Sequence, residues 1–454
     1  MNERRSTGRR RFTGITAWLG GLLLLLLGCG RGSPVDSVEL RPGRLTQGDL
    51  VTAVWLPVGM GEIRLSPADQ ARLANLGVTH LEWVQRAQKD SLSAEALTMD
   101  WCSRAGLRLP VYYEPPGYTP EDKLHDWARA RVTPGFSTEV EARVVQLRDR
   151  WRGYPGFWGY LIGHEDYRRE YLPALAGVVA ALRQQDPERP AITVGRVDHY
   201  EALSPFLDAL LAEGGEPNLF QHEQYVFRAA LPEAGPSLDQ ALDRLLAGYD
   251  QVARAMQGRH GRWHAVVQVH AETRNGVPVY RHPSQAEVRL QAGLALSRGA
   301  SGIVYFLYSS GPETVRDKLG VAVEERYYEG LVDEAGIPTA SYAGVQRVTA
   351  DLRRTGAVLA SRRLHGGFPG RRIPPNPLLF GSDRDLEFGL FGDESTPTYL
   401  LVVNRRPTES RTVDLRLAPG PVHDAISGEP LGNGSGQLEL SLEPGGWRLL
   451  RTGE

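Results

Sequence analysis

Carboxylates and aromatic rings recur together along the chain. The sets are Trp55; Glu82 with Trp83; Tyr113 with Glu114; His164, Glu165 and Asp166; Arg196 with Asp198; Glu223, Gln224 and Tyr225; Gln268, His270 and Glu272; and Tyr308 with Ser309. Rings stack on the apolar faces of sugars, while carboxylates bond hydroxyls or move protons. Such a combination forms a carbohydrate-like lining. Two carboxyls in such a lining could cleave a glycosidic bond, one as acid and the other as nucleophile or base, about 5–5.5 Å apart for retention and about 6.5–9.5 Å for inversion. Three histidines (His164, His222, His270) fall in three separate strand candidates without HExxH-type spacing, so no metal is expected, and no cofactor. The two cysteines are too few for a disulfide framework.

Each set sits at the end of a short apolar run that a helical pattern follows. The runs span residues 51–57, 78–84, 107–113, 156–164, 191–194, 218–225, 263–270 and 301–308. Helical patterns lie between them, beginning with Ser66 to Leu76, which opens on a Ser cap and Pro67 and stops at Gly77. Eight strand-helix units over 49–355 predict a (β/α)8 TIM barrel, whose chemistry gathers at the C-terminal strand ends. A doubly wound sheet is disfavoured because no Gly-rich phosphate loop follows the first strand. Over 356–454 the texture changes to short alternating strands parted by turn residues, which predicts an all-β antiparallel sandwich.

The run Trp158-Gly-Tyr-Leu-Ile-Gly-His-Glu-Asp166 resembles the strand-four signature of the barrel clan of retaining glycoside hydrolases, near its beta-galactosidase-like branch. Arg281 to Tyr308 resembles the helix-seven to strand-eight segment of such proteins, and Tyr328 to Pro338 also fits. The resemblance implies a carbohydrate substrate and Glu165 as general acid/base. Nearby Trp158, Tyr160 and Tyr167 are apolar company that could raise a carboxyl pKa. Substrate contacts are expected from Trp55, Trp83, Glu114, His164, Asp166, Glu223, Tyr225, Gln268, His270 and Tyr308. The clan also places a carboxylate at the tip of strand seven, where this chain has none. Alternation sets Val266, Gln268 and His270 on one face, and Glu272 two residues on is the candidate nucleophile, with Glu223 in reserve. Strand six is polar in both phases, so the side that Glu223 faces is open. The alternative is a non-catalytic glycan-binding protein on a barrel that lost its nucleophile.

Net charge is −2, which gives no attraction for nucleic acid. The N-terminus reads as a targeting segment. Arg4, Arg5, Arg9, Arg10 and Arg11 precede an apolar run, Ile15 to Leu27, too short for a comfortable membrane span. It ends in Leu26-Leu27-Gly28-Cys29, which resembles the lipobox of bacterial lipoproteins. That implies a signal peptide over 1–28, a lipid at Cys29, a tether over 29–48, and a cell-envelope location on the outer membrane or outer surface. Arg9 to Phe12 loosely resembles a twin-arginine signal, which leaves the export route open. Cys102, in a helical stretch, is expected to be a small core filler.

Overall fold

The computed structural model describes residues 50–453 except 57–64, 83–90, 114–135, 165–171, 196–218, 257–261, 317–320, 394–395 and 433. Cys29, Trp83, Glu114, Glu165 and Asp166 therefore lie outside the described residues.

Eight parallel strands form the first sheet: β1 (Val51–Trp55), β2 (His80–Glu82), β3 (Leu109–Tyr112), β4 (Phe157–His164), β5 (Ala191–Gly195), β6 (Leu219–Glu223), β7 (Arg262–Gln268) and, further along the chain, β10 (Gly302–Phe306). Their order is β2-β1-β10-β7-β6-β5-β4-β3. The two ends meet through a parallel bridge from His80 to Arg108, with Leu81 N–H donating to Arg108 O at 2.8 Å and Arg108 N–H to Thr79 O at 3.1 Å. The strands are rich in Val, Ile and Leu, as strands buried on both faces must be.

Among the described residues the helices are α1 (Pro67–Leu76), α2 (Ser91–Ala105), α3 (Phe136–Trp151), α4 (Leu172–Gln185), α5 (Pro236–Met256), α6 (Gln285–Ser297) and α7 (Ala340–Leu359). Helix α1 starts as its sequence indicates. The Ser66 hydroxyl accepts from Asp69 N–H, the Asp69 carboxylate accepts from Ser66 N–H, and Gly77 closes the helix at φ 76°. Outward strand residues such as Val54, Leu81, Tyr160 and Ile303 join the helices in one core. Inward residues form a second cluster, including Ala53, Trp55, Leu161, Ile192, Val266, Val304 and Phe306. This is a TIM barrel with a filled interior.

The C-terminal part is a β-sandwich of two antiparallel sheets. One has β13 (Arg363–Pro369), β15 (Leu386–Gly392), β16 (Pro397–Asn404), β20 (Trp447–Thr452) and β18 (Val422–Asp424); the other has β14 (Leu379–Gly381), β17 (Arg411–Leu417) and β19 (Gln437–Leu442). Strict alternation in β17 and β19 buries one face in a core of their own with Phe388, Leu400 and Leu450. Helix α7 runs through the expected 355/356 division and ends at Leu359.

One element was not expected. A four-stranded antiparallel sheet, β11-β12-β8-β9, is built from β8 (Ala271–Arg274), β9 (Val277–Tyr280), β11 (Gly311–Arg316) and β12 (Ala322–Glu329). Its strands leave the barrel just after β7 and β10. The β8–β9 turn is Asn275-Gly276, both at positive φ (47° and 77°), the residue pair a tight hairpin favours.

Candidate active site

Alternation in β6 can now be read from its neighbours. Leu219 belongs to the barrel interior and Phe220 to the outer core. Gln221 turns inward, where its Nε2 donates to Glu82 Oε1 at 2.7 Å. His222 turns outward onto α5, with its ring 5.7 Å from that of Tyr249. Glu223 therefore returns to the interior at the C-terminal end of β6, and it is buried. The sequence left this open because both phases of the strand are polar.

Glu82, at the end of β2, is fully buried. Loss of hydration pushes its pKa up to about 8, only partly offset by the Gln221 amide. At neutral pH this carboxyl is mostly protonated, and its Oε2 has no hydrogen-bond partner among the described residues. Below it the interior holds a ring stack. Trp158 lies parallel to His264 at 6.0 Å and edge-on to His80 at 4.2 Å. Burial holds both histidines below their usual range, His264 at about 3. Neither was singled out from the sequence, although the inward phase of β2 and β7 carries them.

Strand β7 ends at Gln268, whose side chain binds backbone. Its Oε1 accepts from Phe227 N–H at 3.0 Å, and its Nε2 donates to the carbonyls of Phe227 at 3.1 Å and Arg281 at 3.0 Å. Gln291 of α6 brackets the Gln268 peptide in turn, with bonds of 3.0 Å to its N–H and its carbonyl. Both N–H groups of the Gln268 amide are thereby committed to bracing two loops.

His270 lies in an aromatic cage. Its ring is 4.9 Å from Tyr225, 5.0 Å from Phe306, 5.8 Å from Tyr328 and 5.9 Å from Tyr280. Two of those rings come from the unexpected sheet, which thus packs over the barrel end. Burial pushes the His270 pKa down to about 4 against the opposing pull of the Phe306 carbonyl and the Glu223 charge. Nδ1 lies 2.9 Å from Phe306 O, a group that only accepts, so Nδ1 carries the proton. Among the described residues, Nε2 is a buried acceptor with no hydrogen-bond partner.

The other expected residues sit as follows. Glu272 is in β8, not on a barrel strand; it is buried and bonded to Arg274 Nε at 2.5 Å. The phase carried over from β7 fails because the chain leaves the barrel at Val269. Tyr308, expected as a sugar platform, packs in the outer core instead, and its hydroxyl donates to Asp69 at 3.2 Å. Trp55 is buried in the interior, 6.3 Å from Phe306. Tyr225 forms part of the His270 cage, and the backbone of His164 closes β4 opposite Val194. The mouth thus brings together Glu223, His270, Tyr225 and Phe306 with Tyr280 and Tyr328 of the four-stranded sheet.

No protein-family model matches the chain, and no curated protein matches it. Solved structures do. The beta-galactosidase from Bacillus circulans sp. alkalophilus superposes with a TM-score of 0.60 at 7% identity, over 89% of this chain and 99% of that one. The beta-galactosidase from the haloarchaeon Halorubrum lacusprofundi gives 0.50 at 11%, over 88% and 99%. That from Rahnella sp. R3 gives 0.52 at 12% over 74% of this chain, which spans only 62% of the Rahnella enzyme. At these identities the likeness is one of fold: the chain shares with these structures a TIM barrel followed by an all-β region.

Proposed function

We propose that the barrel mouth hydrolyses glycosidic bonds in an oligo- or polysaccharide. Glu165 is the general acid/base and protonates the departing glycosidic oxygen. A second carboxylate, Glu272 or Glu223, attacks the anomeric carbon if the reaction retains configuration, or takes a proton from water if it inverts. The observation that carries this reading is Glu223: a buried carboxylate on the inward phase of β6, at the barrel end where such chemistry gathers, beside a cage of rings. Neutral His270 adds an acceptor for a sugar hydroxyl through Nε2. Trp83, Glu114, His164, Asp166 and Tyr225 complete the contacts this reading assigns to substrate. In the same reading Cys29 carries a lipid that holds the protein at the cell envelope, within reach of an external glycan.

A second reading rests on Gln268. It stands at the strand-seven tip, with both amide N–H groups bound to backbone. A barrel arranged this way can bind a glycan without cleaving it. Turnover decides between the two. Wild-type protein is expected to release aryl alcohol from at least one member of a broad aryl-glycoside panel, and Glu165→Gln is expected to lower that rate by about 10²-fold or more with unchanged circular dichroism. A wild type that turns over none of the panel, yet binds glycans by calorimetry, leaves the binding reading in place and removes the enzyme.

A further inference from the structure

A second concavity lies in the seam between the barrel helices and the sandwich, and none of the mouth residues named above lines it. Its volume is about 360 Å³, within the size range of small-ligand clefts and at a kind of domain junction where they concentrate. One wall is Trp447 at the start of β20. The indole is half-buried and pinned at two edges: Nε1 donates to Thr355 Oγ1 at 2.9 Å, and Cε3 lies close enough to Gly293 that a Cβ there would approach it to 3.2 Å. A ring held this way offers a rigid flat surface at little entropic cost.

The other walls are charged, and their charges are spent on each other. Arg289 pairs with Asp351 at 3.3 Å and with Glu443; Arg354 pairs with Asp351 at 2.5 Å; Arg448 pairs with Asp424 at 2.7 Å. Four carboxylates (those three and Glu429) face three arginines, so no net positive field draws an anion. What remains is an array of N–H donors and carboxylate acceptors with unused lone pairs. The exposed Ile426 adds an apolar edge. A flat ring flanked by many donors and acceptors, without net positive charge, suits a ligand that is neutral, hydroxyl-rich and apolar on one face.

We propose that this cleft binds a neutral oligosaccharide segment, with a sugar ring stacked on Trp447 and its hydroxyls bonded to the Arg354–Asp351 and Arg448–Asp424 pairs. The site does not depend on catalysis at the mouth. It would hold a glycan chain to the protein whichever reading of the mouth stands.

The test is calorimetry on the full chain with maltohexaose, cellohexaose and a neutral galacto-oligosaccharide. Wild type is expected to bind at least one of them. Trp447→Ala and, separately, Arg354→Ala should each remove one ligand per chain from the stoichiometry or weaken that site by about tenfold or more. Trp447→Phe, which keeps a ring but loses the N–H, should retain the site within about threefold. Arg354 is 61% exposed, so its variant keeps the test valid even if Trp447→Ala fails to fold. Glu165→Gln should leave this site in place, and the seam variants should leave turnover of small aryl glycosides unchanged. The proposal is overturned if wild type binds none of the three at millimolar concentration, if both seam variants bind with wild-type stoichiometry and affinity, or if only anionic oligosaccharides bind the seam.

Discussion

Two regions of this molecule bury ionisable groups, and they do so in opposite ways. At the seam, Glu387 is fully buried between Arg298 and Arg405, at 2.7 and 2.9 Å, and each arginine reaches a further carboxylate, Asp250 at 2.8 Å and Asp243 at 3.0 Å. In the barrel interior Glu82 is equally buried but, among the described residues, has one neutral amide for company and a carboxyl oxygen with none. Burial brings Glu387 against two guanidinium counter-charges. No described residue offers Glu82 a counter-charge, and burial keeps its proton on. The seam joins β15 and β16 to helices α5 and α6 with paired charge. The barrel keeps neutral polar groups (Glu82, His264, His270) whose spare atoms are directed into its own core and mouth. At Glu387 the joint is held by paired buried charge, whereas Glu82 and His270 bring neutral buried polarity to the barrel end where ligands are expected.

The largest break in this comparison comes from Glu387→Ala. It leaves two buried guanidinium groups facing each other across a cavity, and the expected loss is about 3–5 kcal/mol in denaturant unfolding. A loss under about 1 kcal/mol would mean that the seam charges are hydrated or redundant, and the contrast with Glu82 would fall.

Glu82→Gln should act in the other direction, and its sign follows from proton linkage. The folded pKa is about 8 against an ordinary value of 4.5. Between those values the native state keeps a proton that the unfolded chain has released. Stability therefore falls as pH rises through this window, by up to about 1.4 kcal/mol per pH unit, and is fully present only below the unfolded pKa. Glutamine cannot ionise, so Glu82→Gln should lack this slope and gain on wild type from pH 5 to pH 8. Parallel pH profiles for the two proteins would show that Glu82 ionises freely in the fold.

The same contrast explains what could be read before the fold was known. Short apolar runs with helical patterns between them marked all eight barrel strands, and alternation marked β17 and β19, because those patterns are local. The Asn275-Gly276 hairpin signal was equally local, but it sits in a segment that reads as a loop after β7, and the sheet it starts is completed only by β12, some fifty residues on. Side-chain roles depended on partners still more remote. Gln268 stands at a strand tip by spacing, yet its work is set by the backbone of residues 227 and 281. Glu223 faces inward because His222 packs on α5 and Gln221 reaches Glu82, 139 residues away. Tyr308 and Trp55 have the composition of sugar platforms, and only packing distinguishes a platform from a core ring.

The smallest expected effect sharpens the comparison by removing burial from it. Arg104 and Asp100 form an ion pair at 2.9 Å, one helical turn apart on α2, with side chains 72% and 52% exposed. The chemistry is that of Arg298 with Glu387, and the separation is similar. Water already solvates both groups, so the pair gains little Coulomb energy over its separated ions and loses side-chain entropy. Arg104→Ala should therefore change stability by less than about 0.5 kcal/mol, and by still less in high salt, where exposed charges are screened. If it cost as much as Glu387→Ala, distance alone would set the strength of these pairs. The division between joint and mouth would then need another cause than desolvation.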